Sequence, residues 1–156
     1  MLKQTVSLVL LSGALLGTSA AQAVTTQTIL TQSDAQKLIA AAQQKAQALH
    51  ASVCIAVLDQ SGQLLAFNRM DNAPPGCIDS SILKGRAAAL YRTATDKYMA
   101  RANGSEPAIA TLPGVVPLGG GVPVQGQNAT LGAVGVSGSA NPNEIAIAAA
   151  AADSFR

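Results

Sequence analysis

The sequence predicts an α+β domain, an antiparallel sheet of about five strands flanked by helices. A helix-period apolar stripe (Leu38, Ile39, Ala42, Ala46, Leu49) precedes two strand-like runs, Ser52 to Leu58 and Gln63 to Met70. The turn-forming Asp59-Gln60-Ser61-Gly62 lies between those runs, so they read as a hairpin. A second helical stretch, short strands punctuated by glycine and proline, and a closing alanine-rich helix complete the order.

Each element has its local cause. Thr31 to Asp34 offers cap residues for a first helix over Ala35 to Leu49. In Ser52 to Leu58, Val53, Ile55 and Val57 alternate with Cys54, Ala56 and Leu58; both faces are apolar, which places this strand in the middle of the sheet. Pro74, Pro75 and Gly76 stop the second strand. A single long helix is expected from Asp79 or Ser80 to about Ala102, ended by Asn103-Gly104. Pro107 to Pro113 reads as a loop, and Gly114 to Gln125 as short edge strands joined by a glycine turn. Thr130 to Ser137 is a further strand, and Asn141-Pro142-Asn143 caps a final helix over Glu144 to Ser154.

The N-terminus carries Lys3, an apolar run from Val6 to Leu16 and the small-residue ending Ala21-Gln22-Ala23. That pattern is a secretory signal peptide over residues 1–23, cleaved after Ala23. The mature chain, 24–156, has the length of one domain. Export places it in the periplasm or outside the cell, with no membrane attachment after cleavage. Ten basic residues face eight acidic ones; without Lys3, nine against eight leave a charge of +1, too balanced for a nucleic-acid surface. The basic run Lys84, Arg86, Arg92, Lys97 and Arg101, interrupted by Asp96, reads as a solvated helix face.

The aromatic residues are two phenylalanines and two tyrosines, so the core is built from small and aliphatic side chains. Such a core favours close backbone packing, and association into an oligomer is a natural supplement to its modest apolar burial. Two cysteines and one histidine, with no C-x-x-C spacing, do not make a zinc site. In an oxidising compartment Cys54 and Cys77 are either bridged or two separate buried thiols.

Candidate chemistry gathers in two places. Arg69 and Met70 end the second strand, and Asp79 and Lys84 follow near the start of the second helix. An arginine fork beside a helix start could hold a carboxylate; the alternative is that these charges pair among themselves. Gly120 lies in a triple glycine lacking the lysine and serine or threonine of a phosphate-binding loop, so it serves a tight turn or close backbone approach. Ser137 precedes the last helix and could face a pocket, with no residue in the sequence to activate it as a nucleophile. His50 stands where the first helix meets the first strand; it reads as a helix-end residue, with an axial haem ligand as the functional alternative.

The segment Asp59 to Lys84, with Arg69-Met70-Asp71 and I-D-S-S-I-L-K-G-R, together with G-G-G-V-P at Gly119 and G-A-V-G-V-S-G at Gly132, resembles the GlcG/HbpS family. This is the haem-degrading or DUF336 domain, also found at the C-terminus of PduO proteins. The resemblance runs from about Leu30 to Ala152 and implies a profilin-like fold, a symmetric homo-oligomer and haem as ligand. It implies an exported haem-binding or haem-handling protein without catalysis. The alternative is an enzyme or accessory protein acting on a small organic acid or carbonyl metabolite, for which Arg69, Asp79 and Lys84 would orient a carboxylate. Two features depart from the family: the only glutamates are Glu106 and Glu144, which leaves no E-x-x-E motif for iron, and Asn143-Glu144 stands where many relatives have D-E.

Overall fold

The computed structural model describes residues 27–155; the segment read as a signal peptide lies outside them. Among these residues, four α-helices and one four-stranded antiparallel sheet form three layers. The elements in chain order are α1 (Gln32–Ala48), β1 (Cys54–Asp59), β2 (Leu64–Arg69), α2 (Cys77–Tyr91), α3 (Thr95–Asn103), β3 (Gly121–Gln125), β4 (Thr130–Ser137) and α4 (Asn141–Asp153). The strand order is β2-β1-β4-β3, so β1 is interior as its two apolar faces require.

Local chemistry sets the ends. Thr31 caps α1: its Oγ1 accepts from the Asp34 N–H at 3.2 Å while the Asp34 carboxylate accepts from the Thr31 N–H at 3.2 Å. At the other end the Ala51 N–H donates to Ala46 O and the His50 N–H to Gln47 O, a Schellman closure with His50 left-handed at φ 51. The β1–β2 turn is organised by Asp59, whose Oδ1 accepts from the N–H groups of Ser61 and Gln63 at 2.8 and 2.9 Å.

The sheet separates two different interiors. α1 and α4 cover one face, burying Leu38, Ile39, Ile147 and Ala148 against Val53, Ile55, Val57, Val134 and Val136. α2 covers the other, where Gly85 on the helix crosses Gly135 on β4. A Cβ on Gly135 would collide with Ser81 O and lie 2.5 Å from the Gly85 N, so this crossing needs glycine. Cys54 and Cys77 are bridged across 5.4 Å between Cα atoms, fastening the start of α2 to β1.

The structure corrects three expectations. The sheet has four strands, not about five: within Gly114–Gln125 only Gly121–Gln125 pairs, because Pro117 lacks an N–H and Gly119 and Gly120 press against α4 and β4. The long second helix is two, broken at Arg92, which is left-handed at φ 51, with Thr93 Oγ1 donating to Tyr91 O at 2.9 Å. Part of the expected loop is a 3-10 turn, Pro107–Thr111.

Candidate functional site

The deepest polar cluster forms where α2, β4, the glycine strap 119–121 and the start of α4 converge. Gly121 lets the α2 backbone settle on the sheet at Lys84; a Cβ there would lie 2.8 Å from the Lys84 carbonyl carbon. The lysine stem then passes Gly120, whose φ of +116 and whose closeness to Val136 O leave no room for a side chain. Lys84, only 2% exposed, reaches Glu144, 4% exposed, at 2.7 Å and points further donors at Val136 O and Ser137 Oγ, each at 3.5 Å.

Glu144 is satisfied on both oxygens. Its Oε1 accepts from the N–H groups of Gly138 and Ser139 at 2.7 and 3.1 Å, and its Oε2 accepts from Asn141 Nδ2 at 3.1 Å. Asn141 also donates to Gly119 O at 2.9 Å, and its Oδ1 is buried without a partner among the described residues. Ser137 Oγ donates to Ser80 Oγ at 2.9 Å.

Serine beside lysine is the geometry of some hydrolases. Here the ammonium is committed to a carboxylate, and both groups are closed off from solvent. The cluster therefore acts as a tie between α2 and α4, which lie on opposite faces of the sheet. A buried pair of this kind stabilises only while both partners stay hydrogen-bonded.

A second polar group sits at the surface, where β2 ends beside α1. Gln43, Gln47, Asn68, Arg69, Met70 and Asp71 line a recess of about 330 Å³. The floor is partly fixed: Gln43 Nε2 donates to Asn68 Oδ1 at 3.2 Å. Arg69 donates through Nε and Nη2 to Ala73 O at 3.2 and 2.7 Å, holding the proline loop and leaving Nη1 uncommitted among the described residues. A larger cavity, about 860 Å³, lies between residues 27–28, the β3–β4 turn and Phe155, lined by amides and apolar groups.

The residues singled out in the sequence thus divide. Lys84, Gly120 and Ser137 meet in the buried tie, and Arg69 and Met70 line the recess. Asp79 is exposed in the first turn of α2, and no hydrogen bond or ion pair joins it, Arg69 and Lys84. His50 is exposed at the end of α1, where the backbone needs a left-handed residue. Sequence reasoning missed Glu144, Asn141 and Ser80 as members of the tie; a lone glutamate opening an alanine-rich helix was the available sign.

Comparison with known proteins fits this architecture. The family profile described as "Haem degrading protein HbpS-like" matches residues 30–153. Protein GlcG of Escherichia coli K12 is 45% identical over 112 residues, 72% of this chain and 84% of GlcG. A crystal structure of a double mutant of Streptomyces reticuli HbpS superposes with a TM-score of 0.78 at 30% identity, covering 88% of this chain and 95% of that one. A PduOC:heme complex shares the fold, with a TM-score of 0.74 at 24% identity over 81% of this chain and 94% of that one. On the profile and the GlcG identity together, the chain belongs to the HbpS-like family.

Proposed function

We propose that this chain is an exported, non-catalytic haem-binding or haem-handling protein that works as a homo-oligomer, with the Arg69–Met70 recess as its ligand site. The recess is the observation that carries the reading: Arg69 and Met70 both line it, in a family described as haem-degrading. Bound haem would supply an iron able to take one further soft donor. In this reading Met70 would be that donor and Arg69 would hold a propionate. His50 follows Gln47 at the end of α1 and is the alternative iron donor.

The larger cavity offers no such set among the described residues, whose lining side chains there include no histidine, cysteine, methionine, tyrosine or charged group. Lys84, Gly120 and Ser137 serve indirectly in this reading, by fixing the layers, and Asp79 adds negative charge at the start of α2. Export rests on Lys3, the Val6–Leu16 run and the Ala21-Gln22-Ala23 ending. The Cys54–Cys77 bridge suits an oxidising compartment.

Titration of the purified mature protein with haemin tests the reading. A saturable, shifted Soret band is expected, and its absence overturns it. Arg69→Ala should weaken binding by about 1 to 3 kcal/mol, the scale for one charge-assisted hydrogen bond. Met70→Ala should alter the iron spectrum more than His50→Ala. Protein from the exported fraction should begin at Val24 by mass spectrometry.

A further inference from the structure

The two ends of the sheet carry unlike cavities. Arg69 pairs with Cys54 at one end, where the Arg69–Met70 recess lies, while Asp59 pairs with Gly132 at the other. The cavity of about 860 Å³ belongs to this second end and shares no lining residue with the recess. Its volume falls within the range of about 300 to 1,000 Å³ usual for small-molecule sites.

The floor of this cavity is the rim of the core. Leu131, 4% exposed, belongs to the apolar cluster under α1 and α4, Phe155 packs against that cluster, and both line the cavity. Gly126 lets the β3–β4 turn settle on the floor, since a Cβ there would lie 3.1 Å from Leu131 Cγ. The Gly126 N–H donates to Ala129 O at 2.8 Å, which leaves Gln127 and Asn128 as the tip of the turn.

The walls are carboxamides with hydrogen-bonding capacity to spare. Gln125 Oε1 accepts from Thr130 Oγ1 at 3.2 Å, so its Nε2 remains a donor. Gln27 Nε2 donates to Gln60 Oε1 at 3.0 Å, so its Oε1 remains an acceptor. Among the described residues no side-chain hydrogen bond engages Gln127 or Asn128, each of which carries both a donor and an acceptor.

These contents select a ligand class. An ion would lose water without gaining a countercharge, because no charged side chain lines the cavity among the described residues. A wholly apolar ligand would strip water from the amides and leave them unpaired. A hydroxyl both donates and accepts, as a carboxamide does, and a sugar ring also carries a C–H face that can lie on an aromatic ring. We propose that the cavity between the β3–β4 turn and Phe155 binds a neutral sugar, with the amides of Gln27, Gln125, Gln127 and Asn128 on its hydroxyls and Phe155 under its C–H face. Haem binding at the recess is neither needed for this site nor affected by it.

Saturation-transfer NMR on the purified mature protein tests the site, with D-glucose, D-galactose, N-acetyl-D-glucosamine and maltose as probes. At least one of them should take up saturation through its ring C–H protons, and glucuronate and galacturonate, which add a carboxylate, should take up less. Gln125→Ala combined with Gln127→Ala should weaken binding of that sugar at least roughly threefold, the scale for one neutral hydrogen bond. Both side chains are exposed, so circular dichroism should stay native. Phe155→Leu, which keeps an apolar floor without an aromatic face, should reduce the transfer to ring C–H protons.

No transfer to any of the four neutral sugars overturns the site, as does an unchanged affinity in the folded double variant or a uronate held more tightly than every neutral probe. A Phe155→Leu signal equal to that of the parent overturns the stacking. Haemin titration of the double variant should match the parent, and a changed curve overturns the independence of the two sites. Sugar binding in a protein that ignores haemin spares this site and sinks the haem reading, while haemin binding without sugar binding does the reverse.

Discussion

Under α1 and α4 the sheet presents Val53, Ile55, Val57, Val134 and Val136, whereas under α2 the same strands present Cys54, Ala56, Ala133, Gly135 and Ser137, with Leu58 the one large aliphatic side chain. The first interface gains its stability from aliphatic volume removed from water. The second buries less side-chain volume, mainly Leu58, and relies more on backbone approach, with Gly85 against Gly135 and the Lys84 carbonyl against Gly121. Where side chains are too small to lock the layers, a disulfide at Cys77 and the Lys84–Glu144 pair do so instead. One sheet thus shows two routes to a fixed core: filling on one side, fastening on the other.

The largest expected effect breaks the fastening. Lys84→Ala leaves Glu144 buried without its cation and should lower stability by about 3 to 5 kcal/mol in urea unfolding. Replacing both, as Lys84→Met with Glu144→Leu, should recover most of that loss. A single replacement that costs nothing would show that α2 and α4 are not tied there.

Next comes the glycine crossing. Gly135→Ala should cost about 1 to 3 kcal/mol, because the atoms met by the new methyl are backbone and cannot rotate away. On the other face the sign of the volume change reverses: Ile55→Val should cost about 0.5 to 1.5 kcal/mol through the methylene it removes. Equal responses to added and removed carbon on both faces would erase the distinction.

The smallest effect belongs to the turn between β1 and β2, outside both interiors. Burial alone would push the Asp59 carboxyl up, but hydrogen bonds from Gln63, Ser61 and Gly62 outweigh it and hold the group below the ordinary carboxylate value. A depressed folded-state value contributes stability above the unfolded value, near pH 4, and loses it as pH falls through the folded one. Asp59→Asn should therefore flatten the acid side of the stability profile below about pH 4.

The sequence made the aliphatic face readable and the fastened face largely not. Alternation in Val53, Ile55 and Val57 placed β1 at the centre, and Thr130 to Ser137 coincides with β4 because both its ends carry local turn signals. The break at Arg92 escaped detection because neither glycine nor proline marks it; the chain turns left-handed at an arginine and restarts once Thr95 binds Gly121. The Lys84–Glu144 pair joins residues 60 apart, and only the folded crossing brings them together. Arg69 and Lys84, close enough in sequence to suggest one cluster, diverge because β2 ends at the surface while α2 carries Lys84 inward over β4. The family pattern was legible in the motifs, whereas the partner of each charged group in them depended on tertiary contacts.

The Thr95 hydroxyl on the Gly121 N–H, with Pro123 two residues on, also governs how far such sheets can grow. A sheet with two open edges can add copies without end and becomes the seed of a fibre. With β3 sealed, addition on that side stops. Thr95 thus helps close the β3 edge to a further strand. Its loss would be felt first as a tendency to aggregate at high concentration, before any change in what the protein binds.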